Sequence, residues 1–118
     1  MDFEIKDFGG ASEVWLRGRL TFDANVTFRT IFETLGKKHG QRITADISGL
    51  DFIDSAGLGM LLLLKEASGD RLTLRSPRGQ VRRLLSACHF HTIVPVTDWG
   101  DAAMEAGRDS RMRPAPGL

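Results

Sequence analysis

Cysteine is the scarcest of the chemically active residues here. Cys88 is the only one in 118 residues, so no intramolecular disulfide can form. That points to a reducing compartment, the cytosol. Long apolar runs are missing too. The longest, Met60–Leu64, is far too short to span a bilayer. The opening residues, Met-Asp-Phe-Glu-Ile-Lys, have no basic stretch leading into an apolar run, so no signal peptide is expected. Nor does one sign of charge prevail. Sixteen Lys and Arg against fifteen Asp and Glu leave a net charge of +1, which gives no general attraction to nucleic acid or anionic membrane. Arg71, Arg75, Arg78, Arg82 and Arg83 form only a loose basic region, and no aromatic platforms accompany it. There is no internal repeat, and nothing signals pairing, so a free monomer is expected.

What is present is the mixture of an ordinary globular domain, 42% apolar and 26% charged residues. The length suits one core and not two. Phe3, Ile5 and Phe8 suggest a first strand, Gly9-Gly10 a turn, and Glu13–Arg17 a second strand, together a hairpin. Ala24, Phe28, Ile31, Phe32 and Leu35 mark one face of a helix, with Asp23 or Thr21 able to cap its start. A strand is expected at Ile43–Ile47 and a second helix from Ala56 to Ser68, opened by Ser55. Leu72 and Leu74 alternate in a fourth strand, which Pro77 breaks. Val81, Leu84, Leu85 and Cys88 fall at i, i+3, i+4 and i+7, the inward stripe of a third helix. Ile93, Val94 and Val96 predict a fifth strand, and Ala102–Met104 a last helix. Strands alternating with helices after an opening hairpin predict an α/β domain. Its sheet should be mixed and mainly parallel, with an antiparallel N-terminal pair and about four helices. The domain is expected over residues 1–107, with 108–118 as a tail.

The most informative stretch is Asp51-Phe-Ile-Asp-Ser-Ala-Gly-Leu-Gly-Met-Leu-Leu-Leu-Leu64. A strand runs into a tight turn, and Ser55 stands where the next helix begins. Serine suits a helix start because its hydroxyl can accept from a free first-turn amide. The place is also the carboxyl end of a strand, where open α/β sheets put ligand sites. The helix that follows carries two apolar stripes. Leu58, Leu61 and Leu62 form one, and Met60, Leu63, Leu64 and Ala67 the other. One stripe can pack on the sheet. The other must be covered by a neighbouring helix or offer a partner surface.

Three chemistries compete at these residues and fall short. A nucleophile elbow needs Gly-x-Ser-x-Gly, but Ile53 stands at the first position, and none of His39, His89 or His91 is singled out as a base. A dinucleotide fingerprint would need a third glycine where Leu62 stands. Cys88-His89-x-His91 offers three ligands where a structural zinc site takes four. No catalytic residue, metal or cofactor is therefore expected.

Asp54-Ser55-Ala56-Gly57-Leu58-Gly59, after an apolar pair and before a leucine-rich helix, resembles the signature of the STAS family, the sulfate-transporter and anti-sigma antagonist domain. Gly18-Arg19-Leu20-Thr21 stands where that family turns into its first helix. Asp46-Ile47-Ser48-Gly49-Leu50 stands at its strand and loop before the serine. Pro77, Val81–Leu85 and Phe90 resemble its third helix. The resemblance runs from about Phe3 to Ala106. It implies an anti-sigma factor antagonist with Ser55 as the phosphorylation target and no enzyme activity of its own. The implied partners are an anti-sigma factor that is also the serine kinase, bringing its own ATP and magnesium, and a serine phosphatase. The implied contact surface is Thr21, Phe22, Asp23, Asp54, Ser55, Ala56, Gly57, Leu58, Met60 and Leu61. Thr21 departs from the family, which often has an acidic residue there, and the stretch Gly57–Gly69 is about one helical turn short. STAS domains also serve without phosphorylation as accessory subunits of lipid transporters or in stress-signalling assemblies. Asp54-Ser55 favours the phosphorylated branch.

Overall fold

The computed structural model describes residues 1–37 and 40–99. The chain opens with β1 (Asp2–Asp7) and β2 (Ala11–Leu20), antiparallel and joined by a turn in which Gly9 takes φ +76° and the Phe8 amide donates to the Ala11 carbonyl at 2.8 Å. A 3-10 turn, Phe22–Ala24, leads into α1 (Asn25–Gly36). Then come β3 (Arg42–Ile53), α2 (Ser55–Ala67), β4 (Leu72–Arg75) and α3 (Gly79–Ala87). A second 3-10 turn, Phe90–Thr92, precedes the two-residue β5 (Val96–Thr97). The five strands lie in chain order, with β2, β3, β4 and β5 parallel. The expected α/β architecture is present, with three α-helices among the described residues; the predicted helix at Ala102–Met104 lies outside them.

Strict chain order has a consequence for the layers. Each parallel step moves the same way across the sheet, so right-handed crossovers put every helix on one face. Burial agrees. Val14, Leu16, Ile43, Ala45, Ile47, Leu72 and Leu74 are buried and form one core with Phe28, Ile31, Leu35, Leu61, Leu64, Val81 and Leu85 from the helices. The alternate strand residues, Glu13, Trp15, Thr44, Thr73 and Arg75, are half-buried on the opposite face.

That second face is held by charge. Arg75 donates through Nη1 and Nη2 to both Glu13 carboxylate oxygens, at 3.2 and 3.0 Å, and through Nε to Asp46 at 2.8 Å. Its guanidinium lies 5.0 Å from the Trp15 ring centre. The bonds from Arg75 hold the Glu13 carboxyl below its ordinary value. Burial pushes the Asp46 carboxyl up, but bonds from Ser48 and Arg75 outweigh it and the net shift is downward. Both folded values lie below the unfolded ones, so the stabilisation is full above about pH 5 and is lost as pH falls through the folded values. Arg75→Met is therefore expected to cost about 2–3 kcal/mol at neutral pH. It should also flatten the acid side of a stability-against-pH curve, measured by urea unfolding from pH 7 to 3.

Several elements differ from the sequence reading, each for a local reason. Strand β3 does not stop at Ile47. Ser48-Gly49 forms an irregularity within the strand, where the Asp46 carboxylate accepts from the Ser48 amide at 3.0 Å and from its hydroxyl at 2.6 Å. A Cβ on Gly49 would come within 2.7 Å of Arg17 Cγ and 3.0 Å of the Leu16 carbonyl oxygen. Pairing with β2 then resumes as far as Leu20 and Ile53. Ile93 does not join β5. It follows the 3-10 turn and is exposed, while Val94 is buried. Cys88 does not belong to the inward stripe of α3. It is the exposed residue that ends the helix, so the predicted period runs one step too far.

Candidate functional site

Two parallel strand ends build the corner. In the β2–β3 register, Leu20 pairs with Ile53, and the Asp54 amide reaches the Leu20 carbonyl at 3.4 Å. The residues that leave β2, Thr21–Asp23, are thereby set beside those that leave β3, Asp54–Ala56. Parallel pairing thus brings together segments some thirty positions apart.

The helix start differs from expectation in one respect. Asp54, not Ser55, caps α2: its backbone is extended and its carboxylate accepts the Gly57 amide at 2.8 Å. Capping by Asp leaves Ser55 as the first helical residue. Ser55 is exposed, and among the described residues its hydroxyl makes no hydrogen bond. The amides of Ser55 and Ala56 belong to the helical first turn, whose donors have no intrahelical acceptor. At the start of α1 neither Thr21 nor Asp23 makes the expected side-chain cap. Instead the Ala24 amide donates to the Thr21 carbonyl at 2.9 Å, closing the 3-10 turn that replaces a cap.

Gly57 explains how α2 sits so close to β2. A Cβ there would lie 2.2 Å from the Leu20 carbonyl oxygen and 2.7 Å from Ile53 Cγ1. Only a residue without a side chain permits that approach. Gly59, one residue short of the next turn, faces open space.

The expected contact surface divides by burial. Phe22 is 67% exposed, and Asp23 and Ser55 are exposed. Thr21, Asp54, Ala56 and Leu58 are half-buried. Gly57, Met60 and Leu61 are buried, so they shape the surface more than they form it. Leu61 is corrected from contact residue to core residue: with Leu64 it packs into the core. The exposed apolar groups of α2 are Leu62 and Leu63, and on α1 Val26. Asn25, Phe28, Arg29 and Phe32 of α1, with Met60 and Leu63 of α2, line an apolar groove of about 230 Å³. The two stripes read from the sequence do not divide as expected: Leu61 and Leu64, one from each, are fully buried, while Leu62 and Leu63, again one from each, are exposed. Val26 gave no signal, because one exposed valine in an amphipathic helix is unremarkable in sequence.

Among the described residues, no group of three His, Cys, Asp or Glu could hold a metal ion, and His89 and His91 are exposed, with His91 packed edge-on to Trp99 at 5.8 Å. No helix there is long and apolar enough to cross a membrane.

The model of the family described as "Mlab, STAS domain" matches residues 6–95, from the end of β1 through the corner and the three α-helices of the described residues. The chain belongs to the STAS domain family. A STAS-domain containing protein of Pseudomonas aeruginosa is 28% identical over 87 residues, which cover 71% of this chain and 85% of that protein. An anti-sigma factor antagonist from Mycobacterium paratuberculosis has the same fold, with a TM-score of 0.73 at 18% identity, covering 89% of this STAS domain protein and 92% of that chain. The anti-sigma factor antagonist SpoIIAA, in its unphosphorylated form, superposes with a TM-score of 0.66 at 19% identity, over 88% of this chain and 95% of that one. The fold match confirms the sheet-and-helix frame around Ser55.

Proposed function

We propose that this STAS domain is an anti-sigma factor antagonist whose binding is switched by phosphorylation of Ser55. One observation carries the reading: a free, exposed hydroxyl at the first position of α2, beside an exposed apolar patch. The hydroxyl can accept a phosphoryl group without disturbing a bond of the fold. Phosphorylation adds about 1.5–2 negative charges. The free first-turn amides and the helix dipole favour that charge by about 0.3–1 kcal/mol at an exposed site. The domain therefore stays folded in both states, and the penalty falls on the interface.

The contact surface in this reading is Thr21, Phe22 and Asp23 with Asp54, Ser55, Ala56 and Leu58, extended by the groove that Met60 and Leu63 border. The partner is an anti-sigma factor with serine kinase activity. It binds the neutral corner and leaves when Ser55 carries phosphate, which a serine phosphatase later removes. Asp51 and Asp54 add to the negative field and sharpen the contrast. Ala56 leaves one hydroxyl at the corner, so a single modified site is expected.

Protein isolated from its native host and mapped by intact and fragment mass spectrometry should show an 80 Da addition at Ser55 in a fraction of molecules. The unmodified fraction should co-purify with a protein that has an ATP site of kinase type. Absence of the modification under every growth condition, with an ATP-binding cassette subunit as the partner, would place the domain among transporter accessory subunits instead.

A further inference from the structure

Strand β4 stops early. Its last pair with β3 is Arg75 with Asp46, yet β3 runs on to Ile53. Over that extension β2 still covers one edge, but β4 no longer covers the other. At the very end of β3 the gap is filled by a side chain. Gln80, in the first turn of α3, accepts the Ile53 amide through Oε1 at 2.9 Å and donates through Nε2 to the Ile53 carbonyl at 2.9 Å. A primary amide carries one donor and one acceptor group in fixed relation, like a peptide unit. It satisfies both backbone groups of a residue whose side chain is fully buried. The next residue is Asp54, which caps α2, and the one after is Ser55.

We propose that Gln80 is the positioning residue of the Ser55 corner: its amide replaces the missing strand and ties the partner-facing turn to the first turn of α3. This rests on reading the corner as the partner site. The helix start is then gripped from both sides, by the Leu20 carbonyl from β2 and by Gln80 from α3. Asp54 can hold the Gly57 amide only if the residue before it is fixed. No other residue type does the same work. Glu keeps the acceptor but loses the donor when ionised, and Met keeps the length but loses both.

The experiment is amide hydrogen exchange and ¹⁵N relaxation on the free protein, comparing wild type, Gln80→Met and Gln80→Glu. The Ile43 amide, bonded to the Arg71 carbonyl at 3.0 Å on the middle strand β3, belongs to a residue only 2% exposed and reports opening of the whole fold. In Gln80→Met, exchange at Ile53 should accelerate about 30-fold beyond any change at Ile43, and the order parameters of Asp54–Ala56 should fall from about 0.85 to below about 0.7. In Gln80→Glu, the Ile53 amide keeps an acceptor but the Ile53 carbonyl meets a carboxylate oxygen in place of its donor, so exchange at Ile53 should again accelerate beyond any change at Ile43. Equal acceleration at Ile53 and Ile43 would overturn the proposal, since Gln80 would then be serving general stability alone. Unchanged exchange at Ile53 in either variant overturns it as well. None of these measurements uses a kinase or phosphate. Their failure leaves the Ser55 switch standing, and an unmodified Ser55 in cells leaves the Gln80 bonds to be judged on their own.

Discussion

Gly57→Ala is expected to destabilise the domain by about 3 kcal/mol, at the upper end of what an inserted methyl costs in a packed site. The methyl would stand 2.2 Å from the Leu20 carbonyl oxygen, well inside contact, and the obstacle is backbone. Leu20 is itself paired with Ile53, so the end of β2 cannot retreat without breaking the strand pair that builds the corner. The strain must instead lift α2 from the sheet, where Leu61 and Leu64 are fully buried. In a domain of this size the loss corresponds to a fall of roughly 12 °C in Tm. Gly59→Ala supplies the contrast. Nothing lies within 4 Å of the added carbon there, so the exchange should stabilise by about 0.5–1 kcal/mol through helix propensity. Thermal unfolding by circular dichroism separates the two. Equal effects from both substitutions would mean that the close approach of α2 to β2 is wrong.

The contrast between these glycines also shows what a sequence can and cannot announce. Both sit in the same helix start, two residues apart, and nothing in composition tells them apart. Only the register of Leu20 against Ile53 makes one indispensable. Long-range pairings of this kind escape local reading. Pro77 marked where β4 ends, but the replacement of the missing strand by Gln80 was invisible for that reason, since Gln80 reads as an ordinary polar position in an amphipathic helix. The end expected for the third strand at Ile47 failed in the opposite sense: Ser48-Gly49 is absorbed as an irregularity within β3, with Asp46 satisfying the Ser48 amide. By contrast the hairpin, the alternation of strands and helices and the cores of α1 and α3 were legible, because each depends on periodicity alone. The corner itself was legible through Asp54-Ser55 and the leucine run. The roles within it were not, because Asp and Ser are both good caps, and only geometry shows which one holds the Gly57 amide.

That division of labour sets the expected behaviour of Ser55 variants. Because Asp54 does the capping, Ser55→Ala removes no bond of the fold. It should leave stability within about 0.5 kcal/mol of wild type, as for an ordinary surface substitution. Ser55→Asp puts a carboxylate at the first helical position, where the dipole favours it and Asp54 opposes it, so stability should again change little. Binding to the cognate anti-sigma kinase should divide the pair. The alanine variant keeps a neutral corner and should bind within about 3-fold of wild type. The aspartate variant adds a charge beside Phe22, Leu58 and the Asp54 carboxylate, and none of Thr21–Asp23 or Asp54–Leu58 is basic. An unpaired charge at such an interface costs about 2–5 kcal/mol. A loss of roughly 100-fold in Kd, or about 2.7 kcal/mol, is the expected result by titration calorimetry. Phosphoserine carries up to twice the charge and should weaken binding further. Equal affinities for the two variants would show that charge at this hydroxyl is not what the partner reads.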